Sequence, residues 1–314
     1  MKKLLVIALL ICLLLSFSGC YTPSRANVDV GNYNGNDFLS KIDNDTPLSQ
    51  ILLPGTHDSG ATRDFFIPST ARCQWMSITQ QLNAGVRYMD IRLTRVKGQL
   101  DVYHGPAYQG ISFEDVVSDV LEFLEENPSE TLIMCIKEES DAKGENGNFE
   151  DMVKSSIDKN ADKWFLENRI PTLGEVRGKI VLMRRYRAPS NSTTAIGFDA
   201  SSGWADNTTF TLENGDYALA CQDHYQLENT QEKWESISNF FQQMKSTQPN
   251  TYYLNNTSGY IPGLFDIPNL VKVCKHINVV LLAELRNTKD IKGIIACDHI
   301  TQEIAKEIIS LNFK

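Results

Sequence analysis

Short apolar runs alternate with helical spacing along most of the chain. Ile51-Leu52-Leu53, closed by Pro54-Gly55, predicts a first strand. Val86 to Val96 predicts a second, and Gln99 to Tyr103 a third that returns through Lys97-Gly98. From Ser112 onward Phe113, Val116, Val117, Val120, Leu121 and Leu124 recur at helical spacing until Asn127-Pro128 stops them. Thr131 to Lys137, Lys179 to Met183, Tyr217 to Gln222, Thr251 to Leu254 and Lys292 to Cys297 predict five more strands. Helices are expected over Gln231 to Lys245, in a stretch after Asn278, and over Gln302 to Leu311, while Ser190 to Asn214 reads as loop-rich. Strands alternating with helices over roughly 270 residues predict an α/β barrel in a single domain. A doubly wound sheet comes second, because no G-x-G-x-x-G or P-loop follows a strand.

The beginning of the chain follows another plan. Lys2 and Lys3 precede the apolar stretch Leu4 to Phe17, and Ser18-Gly19-Cys20 closes it before polar sequence resumes. That is the layout of a secretory signal, too short for a comfortable span, with an ending that resembles a bacterial lipobox. The expectation is a signal peptide over residues 1–19, a lipidated Cys20, a tether over 20–44 and a catalytic domain over 45–314. The protein would be exported as a cell-envelope lipoprotein, or secreted if cleavage is simple.

Composition narrows the partners. The 314 residues carry 30 Lys plus Arg against 39 Asp plus Glu, a net charge of −9 that becomes −11 once Lys2 and Lys3 leave. An acidic chain is a poor match for nucleic acid or for broad adhesion to anionic lipid, although it permits a locally basic cleft. Of seven cysteines, Cys12 leaves with the signal and Cys20 carries lipid, so Cys73, Cys135, Cys221, Cys274 and Cys297 remain. None shows C-x-x-C spacing; Cys135, Cys221 and Cys297 lie in strand-like runs and are expected to be buried, inert thiols.

In a barrel the chemistry gathers at the C-terminal ends of the strands. Those ends read His57-Asp58-Ser59, Asp90-Ile91-Arg92, Tyr103-His104-Gly105, Lys137-Glu138, Arg184-Arg185, Asp223-His224-Tyr225 and Cys297-Asp298. Asp90 and Arg92, two apart on a strand, share a face. Two histidines, an arginine and several carboxylates at one mouth suit acid–base work on a phosphodiester. One imidazole takes a proton, the other gives one, and a guanidinium neutralises the phosphoryl oxygens.

LPGTHDSG, AGVRYMDIRL, VYHGPAY, NPSET with LIMCIK, GKIVLMRRY, CQDHY and ACDH occur in this order over about residues 45 to 312. Together they resemble the bacterial phosphatidylinositol-specific phospholipases C. The resemblance implies an irregular, incompletely closed TIM barrel. It implies cleavage of phosphatidylinositol, or a glycosylated form, to diacylglycerol and inositol 1,2-cyclic phosphate by attack of the inositol 2-hydroxyl. His57 matches the general base, His104 the general acid, Asp298 the partner of the base and Asp58 the partner of the acid. Lys137, Arg185, Asp223 and Tyr225 match the inositol-binding set. Arg92 stands where animal relatives carry a calcium-binding carboxylate, so no metal or other cofactor is expected, and Asp90 would orient that arginine.

Other readings fit less well. No G-x-S-x-G surrounds Ser59 and no H-E-x-x-H occurs. A glycerophosphodiester phosphodiesterase would carry HRG followed by a metal-binding E-x-D. A non-catalytic inositol-lipid-binding lipoprotein would not require both histidines. His224, His276 and His299 are read as ordinary, as are Glu138 and Glu139 as solvated or loop-supporting charges. A monomer working at a membrane surface is expected, with Phe65, Phe66 and Ile67 as an apolar wedge.

Overall fold

The structure, a computed structural model, describes residues 35–64, 66–140, 148–188, 195–263 and 268–314. The expected signal segment, Cys20 and Phe65 therefore lie outside the described residues. In chain order the elements are β1 (Leu52–Thr56), α1 (Ile78–Asn83), β2 (Tyr88–Val96), β3 (Gln99–His104), β4 (Ala107–Ser112), α2 (Phe113–Glu126), β5 (Leu132–Glu138) and α3 (Phe149–Asp158). There follow β6 (Trp164–Phe165), α4 (Leu173–Val176), β7 (Ile180–Arg184), β8 (Phe198–Asp199), β9 (Thr209–Asn214), β10 (Tyr217–Gln222), α5 (Thr230–Met244) and β11 (Thr251–Asn256). β12 (Ile261–Pro262), β13 (Pro268–Asn269), α6 (Leu270–Asn287), β14 (Gly293–Cys297) and α7 (Gln302–Ser310) complete the set.

The main sheet runs β6-β7-β5-β2-β1-β14-β11-β10-β9, so the first and last long strands are neighbours. They pair in parallel from Leu52 opposite Gly293 to Thr56 opposite Cys297. The sheet curls but does not close. The outer edge of β7 carries only the two-residue β6 and β8, and β10 is flanked by the antiparallel β9. The expected incomplete barrel is what the chain forms. All five residues of β1, β7 and β14 are buried, as expected for central parallel strands covered on both faces.

Local chemistry explains the boundaries. Ser112 caps α2: its hydroxyl accepts from Asp115 N, and the Asp115 carboxylate accepts from Ser112 N. Phe113, Val116, Val117, Val120, Phe123 and Leu124 then face the core. Helix α6 begins at Leu270, not after Asn278, because Asn269 caps it and the stripe Leu270, Val273, Ile277 and Leu281 was already in register. The span read as loop-rich contains β9, which buries only Leu212 and so shows no alternation; a turn at Gly215 (φ +62°) folds it onto β10.

The packed chain also begins earlier than residue 45. Phe38 and Leu39 are buried, Leu39 N donates to Glu130, and Arg87 Nη2 donates to Gly35 O. Arg87 and Glu130 are themselves fully buried, 2.8 Å apart. The expected tether therefore shortens, since residues 35–44 are clamped to the barrel. All five cysteines among the described residues are buried and free, and burial pushes the Cys135 and Cys297 thiols up to about 12. No described helix is long and apolar enough to cross a membrane.

Candidate active site

The loop after β1 is built by its own motif. Thr56 donates to the buried Gln81, the Ser59 hydroxyl accepts from Asp90 N, and Asp58 N donates to Asp90 Oδ2. Asp58 sits at φ +42°, and a Cβ on Gly60 would fall 2.6 Å from Val102. The run Thr56-His57-Asp58-Ser59-Gly60 is thus locked against β2 and β3. Gln74 clamps the other side by donating to both His57 O and Cys297 O. The outcome is a rigidly placed His57.

His57 Nδ1 donates to Asp298 Oδ1 at 2.9 Å, leaving Nε2 as the basic nitrogen. Arg92 Nη2 lies 2.7 Å from that Nε2. The guanidinium is held by Asp90 Oδ2, which accepts from both Nε and Nη2 at 3.1 and 3.0 Å. Its Nη1 stands 3.5 Å from Asp58 and 3.8 Å from Glu139. Burial acts to lower the Arg92 pKa, but Asp90, Asp58 and Glu139 outweigh it and raise it well above its ordinary value. Burial likewise acts to raise Asp90 and Asp298; Arg92 and Arg185 hold Asp90 far below the carboxylate range, and His57 lowers Asp298.

The hairpin from β2 to β3 pairs Val96 with Gln99 and Leu93 with Val102, returning His104 to the mouth. His104 Nδ1 donates to Ala71 O at 2.6 Å and lies 3.8 Å from Asp58 Oδ2. Burial raises the Asp58 carboxyl, partly offset by Arg92 and His104. Both histidines keep a partial opening to solvent, 15% and 20% of the side chain.

Along the mouth, Lys137 binds Glu139 at 2.7 Å and Arg185 faces Asp223 at 3.5 Å. Trp204 donates to Asp223 Oδ2, and the Arg185 guanidinium lies 3.6 Å over its ring. Asn256 donates to the other Asp223 oxygen. Tyr225 donates to Asp206 and packs near Tyr260. The arrangement offers a base and an acid, a fixed guanidinium and a polar fork beside an aromatic face.

The phosphatidylinositol-specific phospholipase C X-domain family matches over residues 45–186. The 1-phosphatidylinositol phosphodiesterase of Staphylococcus aureus (strain NCTC 8325) is 30% identical over 274 residues, covering 82% of this chain and 83% of that protein. The chain belongs to this phospholipase C family. The Listeria monocytogenes 1-phosphatidylinositol phosphodiesterase is 33% identical over 194 residues, and the match spans 59% of its length. A solved structure of the S. aureus phosphatidylinositol-specific phospholipase C superposes with a TM-score of 0.79 at 27% identity, covering 88% of this chain and 97% of that one. The solved Listeria structure, 24% identical with a TM-score of 0.70, shares the fold.

The expected site residues of the family do converge here: His57, Asp58, Asp90, Arg92, His104 and Asp298 form one connected cluster. Lys137, Arg185 and Asp223 join it through Glu139 and through the field of Arg185 on Asp90. For Glu139 the structure decides between the two alternatives, surface or loop-supporting, in favour of the second. Glu139 is not a solvated charge: its side chain is 7% exposed, it accepts from Gly105 N, and Arg92 and Lys137 overcome burial to lower it to about 2. Glu138 does stay at the rim, paired with Arg95. Gln74 and Trp204 were not singled out; both sit in irregular segments where no periodicity points. His276 is exposed, His224 is occupied by Ser236 and Glu232, and His299 is buried against Trp75.

Proposed function

We propose that the chain cleaves phosphatidylinositol between phosphate and diacylglycerol without a metal, releasing inositol 1,2-cyclic phosphate. The observation that carries this reading is the chain Asp298–His57–Arg92–Asp90, which presents a neutral imidazole nitrogen beside a clamped guanidinium. In the reaction the inositol 2-hydroxyl replaces Arg92 at Nε2 and gives up its proton there. Arg92 turns its nitrogens to the phosphoryl oxygens, and the alkoxide attacks phosphorus within the same molecule. His104 Nε2 returns a proton to the departing glycerol oxygen. Lys137, Arg185, Asp223 and Tyr225 hold the ring, with a glycosylated inositol lipid as the second substrate.

Arg92 supplies the positive charge that calcium would otherwise bring, between three carboxylates at 3.0 to 3.8 Å. A membrane surface is the natural partner. Phe66, Ile67 and Trp75 are exposed near the first loop, and one of the solved S. aureus structures concerns modulation of that enzyme's membrane binding. Export with lipidation at Cys20 belongs to the same reading, and the mass of the mature N-terminus tests it.

The central test is product identity. Purified protein with phosphatidylinositol vesicles and EDTA should give the cyclic phosphate by phosphorus NMR, and His57→Ala and His104→Ala should abolish it. Binding without product would replace the reading with a lipid-binding lipoprotein, and activity only with an added divalent cation would overturn metal independence.

A further inference from the structure

Cys73 stands between the two catalytic halves of the mouth. Its Sγ lies 3.8 Å from His104 Nδ1, and Asp58, Cys73 and His104 offer three ligand atoms all within 4.8 Å of one another. The same thiol forms a second such group with His57 and Asp298. These two are the metal-competent groups among the described residues, and they share one sulfur. The Asp58 side favours a ligand. Its carboxylate is fully buried and neither oxygen accepts a hydrogen bond, with Arg92 Nη1 standing off at 3.5 Å, whereas on the other side one of the two Asp298 oxygens is already taken by His57. An imidazole, a carboxylate and a thiol are the donors that borderline-soft cations select, and three protein ligands with one open position is a common zinc arrangement. Zinc bonds of about 2.0–2.3 Å give ligand separations of about 3.3–3.6 Å. The observed 3.8 Å from His104 Nδ1 to both Cys73 Sγ and Asp58 Oδ2 needs only a small contraction.

We infer that Asp58, Cys73 and His104 form an inhibitory site for a thiophilic divalent cation such as Zn²⁺. Binding releases the Cys73 thiol proton to solvent; the Nδ1 proton of His104 also goes to solvent when the ring starts as the imidazolium, or moves to Nε2 when it starts neutral, and in both cases Nδ1 lets go of Ala71 O. The metal takes both freed lone pairs and one carboxylate oxygen, with no change of oxidation state. An imidazole metallated at Nδ1 cannot return to the doubly protonated form that a general acid requires. Calcium, which prefers six or more oxygens, is not served by this donor set. The site thus differs from the calcium position that Arg92 replaces: it takes the acid away instead of assisting the phosphate.

The inhibitory consequence rests on the proposed phospholipase reading; the binding does not, and the two are measured separately. Titrating the purified, chelator-treated protein with Co²⁺ should give the near-ultraviolet thiolate-to-cobalt charge-transfer band. Cys73→Ser should lose the band, and Asp58→Asn, read spectroscopically and not by turnover, should weaken cobalt binding by at least about tenfold. With phosphatidylinositol vesicles, Zn²⁺ should inhibit, EDTA should reverse it, and Cys73→Ser should need at least about tenfold more zinc for the same fractional loss from its own metal-free rate. Cys73→Ala provides the same comparison if the serine variant misfolds. A cobalt band that survives loss of Cys73, or equal zinc sensitivity in wild type and variants, overturns the assignment. If no phospholipase activity is found but the cobalt result holds, the metal site stands and the proposed function falls.

Discussion

At the scale of single residues, Arg92 has the most demanding post. It reaches His57, Asp90, Asp58 and Glu139 through three nitrogens, a spread only a planar fork provides. Arg92→Lys keeps the charge but not the fork, and should lower turnover on phosphatidylinositol by at least about a hundredfold. Near-normal release of cyclic phosphate in that variant would place the phosphate on another cation. Glu139 gives a pH-dependent counterpart. Its folded pKa, about 2, lies below the ordinary 4.5, so its contribution to stability is complete above that value and is lost as pH falls toward 2. Glu139→Gln should lose stability at neutral pH and narrow its gap to wild type in urea unfolding at about pH 3. Asp58, with a raised pKa, acts in the opposite sense, and since Glu139 is one of the charges that raise it, the variant also relieves part of that shift. Among these groups, His57, Asp90, Arg92, His104 and Asp298 were legible because each sits at or just beyond a strand that its own sequence announces. Glu139 was not. A Lys-Glu-Glu run leaves a surface charge and a loop support equally open until Gly105 N, from a different strand connection, is seen to close over it.

At the scale of elements, legibility follows how much of a segment's burial comes from its own spacing. Helix α2 and strands β5, β7, β10 and β14 announce themselves because the apolar residues that define them are the ones buried. Strand β9 depends on its partner β10 for pairing, so its pattern could not reveal it. The connection from β1 to α1 is also irregular, yet it carries the exposed apolar residues nearest the first catalytic loop: Phe66 is 85% exposed and Trp75 57%. Trp75 stacks on the buried His299 at one ring face and has Arg72 at 5.0 Å, a rigid base for an aromatic tip. Phe66→Ser with Trp75→Ser should weaken hydrolysis of phosphatidylinositol vesicles while leaving hydrolysis of soluble inositol cyclic phosphate near the wild-type rate. Equal losses on both substrates would show that the segment shapes the site instead of meeting the bilayer.

At the scale of the whole molecule, an open barrel depends on what braces it. Residues 35–44 do part of this, since Arg177 donates to Leu39 O, Ser129 O and Ile42 O, and the Arg87–Glu130 pair bonds Gly35 and Leu39. Arg87→Met would leave the Glu130 carboxylate buried without its cation, and should cost about 3–5 kcal/mol in urea unfolding. Adding Glu130→Leu should recover much of that loss; no recovery would mean that Arg87 acts through its packing on Phe123 instead.

The adjacency of the first and last long strands bears on when this protein can act. His57 and Asp298 are 241 positions apart in the chain, and their contact exists only once β14 has entered between β1 and β11. Asn312, beyond β14, fastens that arrangement by bonding both Leu52 N and Leu52 O. A ribosome releases the imidazole 241 residues before the carboxylate that orients it. Pairings of such long range are among the slow events of folding. During refolding, turnover should therefore return with this last pairing and lag behind the recovery of helical signal. Chains that stop before Asp298 carry both histidines but lack the carboxylate that orients His57 in the proposed mechanism, and should not cleave the lipid.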